Sequence, residues 1–159
     1  MCIRDRNSSS MSNLIEIGGY QESGLNTSGK GYYLFKLINK KIKPALDEGK
    51  IVLMDRYYYS TMAYQAAAGI DVNRIRKDNE FAPKPDIVLI FDLPADLAMK
   101  RVRSHSVADV FEKEEHLEKV REAYLNLEDD SLVRIIDATR TPEEIFDEVW
   151  KLFSEVING

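Results

Sequence analysis

Asp55 and Arg56 are the residues of this chain whose types and placement best suit chemistry. They follow the apolar run Ile51-Val52-Leu53-Met54, and Tyr57, Tyr58, Tyr59, Ser60, Thr61, Tyr64 and Gln65 come close behind. A carboxylate in such a place can hold a magnesium ion, directly or through water, or orient an attacking group. The adjacent guanidinium can grip a phosphate with paired hydrogen bonds. Ser60, Thr61, Tyr64 and Gln65 span about one and a half turns of a helix, so part of this set can face one ligand. The plainer alternative, a strand-end Asp–Arg pair that only caps and packs, fits the local pattern equally well.

The elements that must position these residues are legible in the apolar spacing. From Tyr33 to Glu48, Leu34, Phe35, Ile38, Ile42 and Leu46 mark one face of a helix, which Pro44 should kink or restart and Gly49 should end. Ile51 to Met54 then reads as a strand buried on both faces. Ser60 is a candidate cap for the next helix, ending near Ala68. Ile87 to Phe91 and Leu132 to Ile136 are two more buried strands, and Leu14 to Ile17 is a short candidate edge strand. Helices are expected from Ala95 to Arg103 and along the face Leu117, Val120, Tyr124 and Leu127. Thr141-Pro142-Glu143-Glu144 carries a cap, a first-turn proline and the glutamate of a capping box, opening a last helix with Ile145, Val149, Leu152, Phe153 and Val156 inward. Strands alternating with helices imply a parallel sheet with helices on both faces, with ligands beyond the carboxyl ends of the strands. Those ends are Asp55-Arg56-Tyr57, Asp92-Leu93-Pro94 and Asp137-Ala138-Thr139.

Composition narrows the function classes. The 159 residues are 44% hydrophobic and 31% charged, which suits one domain with one core. A net charge of −5 offers no basic field for a nucleic-acid polymer. No apolar run approaches the ~18 residues that span a bilayer, and a cytoplasmic setting is expected. The single Cys2 excludes a disulfide or a Cys-based metal site within one chain. His105 and His116 lie in charged surroundings and read as surface residues, and Lys36, Lys40, Lys41 and Lys43 as a solvated helix face. Residues 1–10 are polar and without period, and read as a non-native or disordered leader; residues 11–159 read as the domain itself.

The stretch IKPALDEGKIVLMDRYYYSTMAYQ resembles the signature region of thymidylate kinases. PKPDIVLIFDLPADLAMKRV, FEKEEHLEKVREAYLNL and RIIDATRTPEEIFDEV continue the resemblance in the family's order, across about two thirds of the chain. The resemblance implies a P-loop-kinase-like α/β three-layer sandwich with a parallel sheet. It also implies transfer of the ATP γ-phosphoryl group to dTMP, giving dTDP, with magnesium. Asp55 would stand near the transferring group and the metal, and Arg56 would bind the acceptor's phosphate. Tyr57, Ser60, Thr61, Tyr64 and Gln65 would line the acceptor nucleoside. Arg101 would contact the adenine end of ATP, Ala138 and Thr139 would border the adenine, and Arg103 is a candidate lid arginine. A homodimer is expected by resemblance alone.

Departures from the family pattern leave alternatives open. The family's thymine-reading phenylalanine and arginine fall, by ungapped counting from Pro44, on Lys30 and Leu34; Phe35 could stand in for the phenylalanine by a shift, but the arginine has no counterpart. The lid motif reads Asp109-Val110-Phe111-Glu112, with valine in the usual arginine's place. Gly24 to Lys30 formally matches the phosphate-loop pattern G-x-x-x-x-G-K. However, Gly31 replaces the magnesium-holding Ser or Thr, Tyr20 to Ser23 is no buried strand, and Asp55 follows only 25 positions after Lys30. The expectation is therefore a partial kinase domain that is N-terminally truncated, lacking its first strand and phosphate loop, with an open slot between the Ile51 and Ile87 strands. Little activity alone is expected. A kinase with another acceptor base and a non-catalytic nucleotide-binding module are the competing readings.

Overall fold

A computed structural model of the chain describes residues 2–4, 14–17, 34–101, 107–127 and 131–158. Its five strands are β1 (Cys2–Arg4), β2 (Leu14–Ile17), β3 (Ile51–Met54), β4 (Ile87–Asp92) and β5 (Val133–Asp137), in the spatial order β2-β3-β1-β4-β5. The α-helices are α1 (Lys43–Asp47), α2 (Tyr58–Ala67), α3 (Val72–Asp78), α4 (Ala95–Arg101), α5 (Val107–Leu125) and α6 (Pro142–Asn158).

Parallel pairing holds on both flanks of the sheet. β2 lies along β3 from Leu14↔Ile51 to Ile17↔Met54, and β4 along β5 from Val88↔Val133 to Asp92↔Asp137. The middle departs from expectation. The slot foreseen as open between the Ile51 and Ile87 strands is filled by β1, antiparallel to both neighbours, with Ile3 opposite Leu53 on one side and Ile87 on the other. The sheet is therefore mixed. The physical reason is that two facing strand edges carry rows of amide and carbonyl groups that must be paired or hydrated, and any extended segment within reach can pair them.

Alternation along the strands divides the core into two layers. Val52, Met54, Val88, Ile90 and Val133 face Ile38, Ile42, Leu46, Met62, Ile75 and Leu127 of the helices on one side. Ile51, Ile87, Leu89 and Ile136 face the other side, where α6 lays Ile145, Val149, Leu152, Phe153 and Val156 over them. Helices on both faces give the expected three layers.

The first helix shows how sequence and packing settle a conflict. Its apolar positions 34, 38, 42 and 46 recur at every fourth residue, slightly more than one α-turn. Pro44 has no amide hydrogen, and in a continuous α-helix its ring would clash with the carbonyl of residue 40. The chain is helical at 34–37, widens to a π-helix over Ile38–Ile42, where the Lys43 amide donates to the Ile38 carbonyl, and resumes as α1 with Pro44 in its first turn. Ile38, Ile42 and Leu46 are thereby all buried. Gly49, at φ 74°, ends the helix as expected, in a conformation that glycine adopts without steric cost.

Candidate functional site

β3 delivers Asp55 and Arg56 at its carboxyl end, where both are exposed. Arg56 has φ 58°, the left-handed region in which a residue with a side chain is strained. This turn sends the chain directly into α2. It also places the guanidinium over the ring of Tyr64, 5.8 Å from its centre, a cation–π contact across two helical turns.

The aromatic run divides by burial. Tyr57 and Tyr59 are core residues, and the Tyr57 hydroxyl donates to the Pro83 carbonyl at 3.2 Å. Tyr58 is half-buried, its ring between those of Tyr57 and Tyr59. Ser60 does not cap α2 as the sequence suggested. Tyr57 occupies the cap position, with no side-chain bond there, and Ser60 lies within the first turn. Its oxygen sits 2.5 Å from the Tyr124 hydroxyl of α5. Tyr64, one turn later, meets Tyr124 edge-on at 6.5 Å and His116 at 6.4 Å. Ser60 and Tyr64 thus share the stripe of α2 that faces α5, with the Arg56 guanidinium over the Tyr64 ring, while Thr61 and Gln65 are half-buried on the neighbouring stripe.

His116 is exposed, as its charged surroundings suggested, whereas the contact of Tyr124 with Ser60 was not foreseen. Tyr124 was visible only as one member of an apolar helix face, and nothing local says that its hydroxyl meets a serine 64 positions away. A cavity of about 260 Å3 lined by Tyr58, Tyr59, Met62, Arg76 and Lys84, and another of about 300 Å3 among Ala66, Val72, Lys119 and Asn126, lie along the helical layer. Neither includes Asp55 or Arg56.

The other two strand ends form a second cluster. The Ala138 amide donates to the Asp92 carbonyl at 2.8 Å. Thr139 donates from its amide and its hydroxyl to the Asp137 carboxylate, at 2.9 and 2.6 Å. Those two bonds, hydroxyl first, hold the Asp137 carboxyl below its ordinary value, with Arg140 adding to the effect. Arg140 pairs in turn with Glu148 of α6. The Ala138–Thr139 turn is therefore tied down on both sides. Arg121 of α5 grips the Asp92 carboxylate with two parallel bonds of 2.7 and 3.0 Å. Arg101 is the last residue of α4, with its side chain outside the description, and Arg103 and the stretch Gly24 to Lys30 lie outside the described residues.

No group of three or more His, Cys, Asp or Glu side chains is placed to hold a metal ion among the described residues. A lone carboxylate such as Asp55 suits magnesium that keeps most of its waters and is carried in by phosphate.

Comparisons with known proteins agree with this architecture. Residues 33–149 match the family model described as thymidylate kinase. A probable thymidylate kinase of Archaeoglobus fulgidus is 42% identical over 120 residues, covering 75% of this chain and 61% of that protein. One from Thermococcus gammatolerans is 41% identical over 125 residues (77% and 60%), and the thymidylate kinase of Carboxydothermus hydrogenoformans is 39% identical over 128 residues (77% and 63%). The chain spans about six tenths of the length of these curated relatives. With the family model covering most of its residues, the chain belongs to the thymidylate kinase family.

Proposed function

We propose that this chain forms the acceptor side of a dTMP kinase, which passes the γ-phosphoryl group of ATP to dTMP. The observation that carries the reading is the delivery of Asp55 and Arg56 by the end of an interior strand into α2, with Arg56 held in a strained turn over Tyr64. Strain at an exposed arginine stabilises nothing by itself, and suits a guanidinium set to receive a phosphate. Asp55 would hold magnesium through water, and the ion would neutralise charge on the transferring group. Arg56 would take the acceptor's phosphate. Tyr57 and Tyr59 would support the site from the core, while Ser60, Thr61, Tyr64 and Gln65 would border the nucleoside. Arg101 and the turn at Ala138 and Thr139 would flank the ATP base. A homodimer and a cytoplasmic setting complete the proposal; among the described residues no helix is long and apolar enough to cross a membrane.

One observation favours a different acceptor base. Leu34, at the place expected to read thymine, packs against the core and offers no hydrogen bond. Turnover by this chain is expected to be low, because the formal G-x-x-x-x-G-K match at Gly24 to Lys30 is followed by Gly31, which supplies no hydroxyl for magnesium. Thermal unfolding with dTMP, dUMP, dCMP and dGMP tests the reading. A rise in Tm with dTMP alone supports it, a rise with another base selects the second reading, and no rise with any at millimolar ligand rejects both.

A further inference from the structure

We propose that Arg121 is a positioning residue for the acceptor site, fixing α5 to the carboxyl end of β4 so that Tyr124 meets Ser60. The inference rests on the acceptor-site reading of α2 given above. Asp92 is a junction. Its carboxylate takes two bonds from the Arg121 guanidinium, and its backbone carbonyl takes the amide of Ala138 in the turn after β5. Arg121 sends a further bond, of 2.8 Å, to Glu118 one turn earlier on α5. One guanidinium thus clamps α5 to the strand end, and three residues later the same helix presents the Tyr124 hydroxyl to Ser60.

The geometry is selective for arginine. Side-chain exposures of 28% for Arg121 and 21% for Asp92 show a pair partly shielded from solvent. The fork fixes both the distance and the rotation of the helix, whereas a lysine could supply charge without orientation. A helix set in this way determines where Ser60 and Tyr64 can stand, since both meet Tyr124.

Two measurements on the full chain test the proposal. The first is a urea-unfolding cycle of Arg121→Gln, Tyr124→Phe and the double variant. Coupling of about threefold or more in the unfolding constant is expected for members of one network, and additivity within about 1.5-fold overturns the proposal whatever the chain does with nucleotide. Arg121→Lys replaces Arg121→Gln in the cycle if the latter fails to fold. The second is dTMP affinity by calorimetry. Arg121→Gln should weaken it by about threefold or more, with part of the loss restored in Arg121→Lys. Unchanged affinity in both variants overturns the proposal. If the wild-type chain binds no dTMP, the functional reading falls and the unfolding cycle alone decides this one.

Discussion

Arg56 shows how a single residue can be read as functional by weighing energies. Its left-handed backbone costs roughly 1–2 kcal/mol, and its contact with Tyr64 returns roughly 0.5–1 kcal/mol. Glycine at this position would remove the strain, lose the contact and add about 0.5–1 kcal/mol of chain entropy to the unfolded state. Arg56→Gly is therefore expected to change stability by less than about 1 kcal/mol in urea unfolding. If the arginine meets a phosphate, the same variant should weaken dTMP by at least about tenfold, the worth of a hydrogen bond to a charged group. A large loss of stability with affinity retained would make Arg56 structural. The Ser60–Tyr124 contact behaves differently. Tyr124→Phe keeps the ring against Tyr64 and removes one half-buried hydrogen bond, so a loss of about 0.5–1.5 kcal/mol is expected in the same experiment.

At the scale of elements, α6 carries the most explicit local code. The Glu144 amide donates to the Thr141 hydroxyl oxygen at 3.3 Å, and Glu144 accepts from the Thr141 amide at 3.0 Å, closing the box that the four residues spell out. The bonds from Thr141, backbone first, hold the Glu144 carboxyl below its ordinary value, as Thr139 does for Asp137. Both groups bind protons more weakly folded than unfolded. Their stabilisation is complete above the unfolded values near pH 4 and is lost as pH falls through the lower folded values. Thr141→Ala should lower Tm by roughly 2–4 °C at pH 7, and its deficit against wild type should shrink at pH 3, measured by circular dichroism. This helix was legible because periodicity and cap agreed, and β3 and β4 because each is a short, unbroken apolar run. α3 was not: its seven residues are too short for a periodic signal, although Asp71 caps it by accepting from the Asn73 amide. A kink or restart at Pro44 was expected and the helix restarts there, but the π-turn before it was not foreseen, because only burial of Ile38 and Ile42 on one face selects it over a break. Among candidate site residues, those just after β3 and on α2 could be found by sequence proximity. Arg121 and Tyr124 could not, since their partners Asp92 and Ser60 lie 29 and 64 positions away.

For the whole molecule, the decisive feature is the middle of the sheet. Each flank is a parallel pair with its own helices, and β1 joins them with only three residues. A strand inside a sheet bonds on both sides, so β1 carries the continuity between β3 and β4. Ile3→Pro tests this, because proline removes an amide hydrogen and is poorly tolerated away from sheet edges. If β1 joins the flanks, the variant should lose about 1–3 kcal/mol in urea unfolding, the cost of leaving a buried backbone partner unpaired. Amide exchange should then quicken in β3 and β4 together, while β5, which pairs with β4 through five residues, is protected longer. Unchanged stability and exchange would mean that the flanks are held by the helical layers alone. The candidate site would feel the difference, because Asp55 follows β3 while Asp92 ends β4. The strand between them therefore sets how far Asp55 stands from the cluster built on Asp92 and Asp137.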